Sequence, residues 1–169
     1  MANTYVKIGS TVTVGVLGAS SIDFTSIPAT YTDLVVKASL RTNITSIYDL
    51  PQVRFNGSSS NLSMRRIFGD GSTVASNTYG SNSYLLGNGA TSTASVFGNL
   101  EIYVPNYLSA NNKSFSADGV IENNATESEQ TLVAGLWSNT AAITQVSLIP
   151  QGTSFVQYST ATLYGILKS

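Results

Sequence analysis

The hydrophobic pattern of this chain has a period of two. Between Tyr31 and Arg41, Leu34, Val36, Ala38 and Leu40 alternate with Asp33, Lys37, Ser39 and Arg41, which predicts a strand with one buried face. Asn99–Val104 repeats the pattern, with Leu100, Ile102 and Val104 set against Asn99, Glu101 and Tyr103. Thr144–Leu148 does so with Val146 and Leu148. Tyr5–Ile8, Thr11–Leu17, Gln52–Asn56, Ser114–Glu122, Thr131–Trp137, Ser154–Tyr158 and Ala161–Leu167 are rich in β-branched and aromatic residues and are bounded by turn residues, so they too read as strands. Gly9-Ser10, Asn56-Gly57, Asp70-Gly71, Asn88-Gly89 and Gln151-Gly152 read as hairpin tips, because Gly and Asn accept the positive φ of tight turns.

No stretch shows helical apolar spacing with a cap, and only a short turn near Tyr107–Asn112 is conceivable. Gly57–Thr93, rich in Ser, Asn, Gly and Thr, reads as long loops carrying short strands over one end of the fold. The prediction is an all-β, single-domain antiparallel β-sandwich over residues 1–169, jelly-roll-like, with long Ser/Asn/Gly-rich loops. Residues 1–12 are expected to form an N-terminal arm or an edge strand.

Composition narrows the chemistry. The 169 residues include no His and no Cys, which excludes His-dependent nucleophile systems, thiol catalysis, disulfides and thiolate zinc sites. Eight Lys+Arg against nine Asp+Glu give a net charge of -1, and apart from Arg65-Arg66 the basic residues are scattered, so nucleic acid is not an expected partner; no apolar run approaches the ~18 residues of a membrane span, so no membrane is expected either. The first residues lack the charged and apolar regions of a signal peptide. Charged residues make up only 10% of the chain, against about 25% in typical globular proteins. Ser, Thr and Asn must therefore provide most of the wetted surface.

The candidate sites are few. Glu122, Glu127 and Glu129 are the one dense acidic group, and they read as a solvated loop around Asn123-Asn124 rather than a cation site or a catalytic pair. Arg65 and Arg66 read as interface or ion-pair residues, given the five-donor guanidinium that suits such contacts. Tyr79, Tyr84 and Tyr107 lie in loop-like segments and are interface candidates, or sugar platforms in the alternative. Trp137 reads as core or rim packing. No catalytic residue, cofactor or metal is expected.

Several segments together resemble a family of small virion-associated structural proteins of tailed bacteriophages, common in aquatic and cyanobacterial phages. The likeness is carried by Ile22–Asn43 (IDFTSIPATYTDLVVKASLRTN), Phe55–Gly57 (FNG), Leu100–Tyr107 (LEIYVPNY), Glu122–Thr126 (ENNAT), Ala134–Thr144 (AGLWSNTAAIT) and Ser159–Ile166 (STATLYGI). The resemblance implies a β-sandwich subunit displayed on the particle exterior after synthesis in the host cytoplasm. Its first expected role is capsid decoration, or cement, through contacts with its own copies and with the major capsid protein. The alternative is a tail-fibre or tail-tip subunit that binds a host-surface glycan. A homotrimer is expected by analogy with jelly-roll virion proteins.

Overall fold

The computed structural model describes residues 4–123 and 127–167. They form thirteen strands and no helix: β1 (Tyr5–Thr13), β2 (Ile22–Phe24), β3 (Asp33–Leu40), β4 (Tyr48–Asp49), β5 (Gln52–Phe55), β6 (Leu62–Gly69), β7 (Val74–Tyr79), β8 (Gly87–Asn88), β9 (Gly98–Val104), β10 (Lys113–Glu122), β11 (Ser128–Trp137), β12 (Val146–Ile149) and β13 (Thr160–Ile166). The antiparallel sandwich expected from the alternation is the fold the chain adopts. Its layers are unequal. One sheet has eight strands in the order β1-β13-β3-β9-β10-β11-β6-β7, the other has three in the order β2-β12-β5, and β4 pairs with β8 at one end.

The core follows directly from the period of two. Leu34, Val36, Ala38 and Leu40 of β3 point inward with Leu100, Ile102 and Val104 of β9 and Phe115 and Ala117 of β10. They meet Ile22 and Phe24 of β2, Val53 and Phe55 of β5, and Val146 and Leu148 of β12. Phe55 sits at the centre, edge-on to Phe115 with centroids 5.5 Å apart and tilted against Trp137 at 5.7 Å. Trp137 is fully buried, as its place in an apolar strand predicts.

Several expected features come out differently. Gly9-Ser10 makes no turn: β1 runs through it as one edge strand on β13, with a register shift between Ile8 and Val12. Of the 1–12 segment, residues 4–12 are thus tied to the sheet, and 1–3 lie outside the described residues. β1 stops at Thr13, and Leu17 is exposed. Ser154–Tyr158 is no strand; Phe155 makes only isolated bridges to Ala19 and Thr42. Asn88-Gly89 is no hairpin tip, because both residues are buried, with Asn88 in β8. The Gly57–Thr93 region holds a regular hairpin, β6–β7, closed by Asp70-Gly71 as the turn residues predict.

Polar side chains hold the loops, and this accounts for much of the Asn and Ser content. Asn56, at positive φ, accepts from the amides of Thr144 (2.8 Å) and Gln145 (3.1 Å) and donates to the Ala142 carbonyl (2.8 Å). Asn43 accepts from the amides of Thr153 and Ser154, and buried Asp49 from those of Leu50 and Gln151. Arg41 places Nη1 on the carbonyls of Thr93 (2.7 Å) and Val96 (2.9 Å), and Nη2 on those of Ala90 (3.1 Å) and Ser92 (2.9 Å). Lys113 is buried and pairs with no carboxylate among the described residues. Its ammonium donates to the carbonyls of Asn111 (2.8 Å), Ala141 (2.7 Å) and Asn139 (3.3 Å), which uses all three protons, and burial lowers its pKa.

Candidate contact surface

Strand alternation delivers the residues of β11, β6 and β7 to two faces. Leu62, Met64 and Arg66 point inward from β6, while Ser63, Arg65 and Ile67 point outward. On β11, Val133, Gly135 and Trp137 go inward and Leu132, Ala134 and Leu136 outward. Register then sets Leu132 opposite Ile67, Ala134 opposite Arg65, and Gly69 opposite Val74 of β7. The outer face consequently carries an apolar strip in which Val74 is 80% exposed, Ile67 58% and Leu132 57%. A shallow depression of about 230 Å³ lies between Arg65, Ile67, Leu132 and Ala134. A neighbouring one of about 410 Å³ is lined by Ile67, Gly71, Val74 and Leu132. Exposed aliphatic side chains gathered in one place mark a contact surface more specifically than isolated ones do.

The residues singled out from the sequence divide between this surface and the interior. Arg65 is exposed and stands on the strip. Arg66 faces the other way: it is 5% exposed, its guanidinium lies 4.1 Å from the Phe68 ring centroid, and it pairs with Glu129 at 3.3 Å. Of the two roles expected, the ion pair holds for Arg66, while Arg65 stands exposed on the strip. Tyr107 is corrected outright. It is fully buried, its hydroxyl donates to the Pro28 carbonyl and accepts from the Tyr31 amide, and it is no interface residue. Tyr79 and Tyr84 are half-buried against the core and stack edge-to-face on each other at 4.8 Å. Their hydroxyls accept from Asn77 and Asn82. Those rings are engaged with one another.

The acidic group is corrected as well. Glu122 is exposed and Glu127 half-buried, but Glu129 is buried on the inner face of β11. Residues 124–126, which include Asn124 and the end of the ENNAT segment, lie outside the described residues. Several other carboxylates have structural duties. Asp33 accepts from the Tyr103 hydroxyl and the Asn106 amide, and Glu101 pairs with Lys37 at 2.7 Å. Asp70 accepts from the Thr73 and Ser72 amides and both their hydroxyls, and these bonds hold its carboxyl far below the usual range. Among the described residues no group of three or more Asp or Glu is placed to hold a metal ion.

Burial pushes the Glu129 carboxyl above its ordinary value, and the neighbouring Arg66 only partly offsets this. A group whose folded pKa is raised binds its proton more tightly in the native state, so its contribution to stability falls as pH rises. The window runs from the ordinary value of 4.5 upward to the raised one. Urea midpoints for the native chain and Glu129→Gln, measured from pH 4 to 7, should show a decline on the native side of the comparison that the variant lacks. Parallel curves would contradict the assignment.

No protein-family model, no curated protein and no solved structure matches this chain.

Proposed function

We propose that this chain is a structural subunit of a tailed-phage virion, carried on the capsid exterior as a decoration or cement protein and acting by contact rather than catalysis. The supporting observation is the outer strip of Leu132, Ile67, Val74 and Ala134, flanked by Arg65. Water gains little from such a face, while a partner that covers it gains about 25 cal/mol per Å² of apolar area removed from solvent. Arginine beside an aliphatic patch is the composition that protein interfaces favour. The likeness of Ile22–Asn43, Leu100–Tyr107 and Ala134–Thr144 to phage virion proteins supplies the setting. In this reading the partner on the strip is the major capsid protein, and the expected trimer is the displayed unit. The glycan-binding tail reading draws less support, because Tyr79 and Tyr84 face each other and Tyr107 is buried.

Binding to capsid shells stripped of their accessory proteins tests the proposal. The native chain should saturate regular sites on the shell, visible by cryo-electron microscopy. Leu132→Asp combined with Ile67→Asp should weaken binding at least tenfold while leaving the far-ultraviolet circular dichroism unchanged. Density confined to the tail of whole particles, or undiminished binding by the double variant, would overturn it.

A further inference from the structure

The eight-stranded sheet has two free edges, and they differ. The β1 edge is blunted: its register breaks between Ile8 and Val12, and Lys7 stands on the short piece before the break. Interruptions and lysines of this kind are how proteins prevent strand-to-strand association. The β7 edge has neither. Its sequence, VASNTY, contains no charge, Pro or Gly, its pairing with β6 is regular from Val74 to Tyr79, and among the described residues no strand covers its other side. No charged residue occurs anywhere between Asp70 and Glu101.

The backbone of this edge has a defined polarity. The Asp70 amide donates to the Thr73 carbonyl at 3.2 Å, which makes 70 and 73 a hydrogen-bonded pair. Antiparallel ladders alternate, so Phe68–Ala75, Arg66–Asn77 and Met64–Tyr79 are bonded pairs, and Gly69–Val74, Ile67–Ser76 and Arg65–Thr78 are not. Val74, Ser76 and Thr78 therefore aim their amides and carbonyls away from β6, at open solvent.

We propose that β7 is a self-pairing seam: two copies of this chain join β7 to β7 antiparallel, about a twofold axis through Ser76 normal to the sheet. This register sets Ser76 opposite its own image and Val74 opposite Thr78 of the second copy. Each of the three opposed pairs makes two N–H···O=C bonds, six in all, so that every outward group of the strand is satisfied. It also keeps the two outer faces on one side, which joins the Ile67–Leu132 strips into a single surface across the seam. A foreign extended strand can make the same backbone bonds to one edge, but the twofold image closes the β7 edges of two copies at once with one residue set. A head-to-tail contact of β7 with β1 would meet the broken register instead.

A seam six residues long is far below the ~800 Å² per partner of a stable complex, so the dimer is weak and depends on concentration. Display on a particle surface would raise the local concentration and favour it.

The chain has no cysteine, so a single introduced thiol reports cleanly. Opposed residues of a bonded pair have Cα atoms about 5.5 Å apart, within the span of a disulfide. Ser76→Cys under mild oxidant should cross-link most of the chains as dimers. Ala75→Cys, which faces Asn77 of the second copy rather than its own image, should cross-link at least tenfold more slowly. Sedimentation of the native chain over the roughly 10–500 µM range expected of so small a contact should show dimer growing with concentration. Ser76→Pro removes an outward amide without touching a bond to β6, and should weaken that association at least tenfold. Equal cross-linking of the two cysteine variants, or none, overturns the seam. So does a trimer or monomer indifferent to Ser76→Pro. Hexamers that fall to trimers in Ser76→Pro would support the seam as the twofold within a larger assembly.

Discussion

Replacing Gly135 with alanine should lower the thermal midpoint by roughly 6–12 °C, through an overpacking cost of about 3 kcal/mol. Gly135 lies on the inner face of β11, directly opposite Phe115 of β10. The Phe115 ring occupies the volume a side chain would need: a Cβ built on Gly135 overlaps Cζ, Cε1 and Cε2 of that ring. The ring has no retreat, since it packs edge-on to Phe55, which in turn leans on Trp137. A glycine in mid-strand ordinarily weakens a sheet, but here its missing side chain is replaced by a neighbour's ring. Scanning calorimetry of Gly135→Ala checks the size of the loss. Adding Phe115→Leu to the same chain should recover part of it, because the two substitutions act on one volume. Losses that simply add would refute the steric account.

The second large effect is expected at Arg41. Its guanidinium holds four carbonyl oxygens of the 90–96 loop, it pairs with no carboxylate among the described residues, and burial lowers its pKa. Bonds to a charged donor contribute about 1.5–3 kcal/mol each in isolation, and the four are not additive because they share one side chain. Arg41→Met should therefore cost about 3 kcal/mol, read as a lower urea midpoint. It should also speed amide exchange selectively in residues 90–96. Arg41→Lys should rescue little of this, since one ammonium cannot reproduce the fork that reaches Thr93 and Val96 on one side and Ala90 and Ser92 on the other. Uniform exchange over the whole chain would show that the loop is not a separate unit.

Strands whose inward positions are mostly apolar were legible in the sequence. β3, β9 and β10 fall within a residue or two of their expected bounds, because most of their inward positions carry Leu, Val, Ile, Phe or Ala, and the inward Lys113 and Gly119 of β10 do not erase the pattern. β6 was hidden by one residue: Arg66 stands on its inward face, where the pattern calls for an aliphatic side chain, and its partner Glu129 is sixty-three positions away, on another strand. β7 was hidden because both its faces are wet, so it has no hydrophobic period to detect. Tyr107 reads as available because it lies in the loop-like stretch Pro105–Asn112; only the folded chain brings Pro28 and Tyr31 to its hydroxyl. The apolar strip was unreadable for a related reason. Leu132 and Ile67 are unremarkable singly, and become a surface only through the register of β11 on β6.

The place of β13 in the large sheet bears on how the chain is made. It is the strand of the thirteen that leaves the ribosome last, yet it is inserted between β1 and β3, two of the earliest. Until β13 arrives, β1 has no partner in the sheet, and β3 can pair on one side only, with β9. Nascent chains are therefore held short of the native sheet until β13 has been made, and its insertion joins segments about 150 residues apart. A truncated product lacks the bridge between its first strands and the rest of the sheet, so only chains that carry β13 can complete the fold.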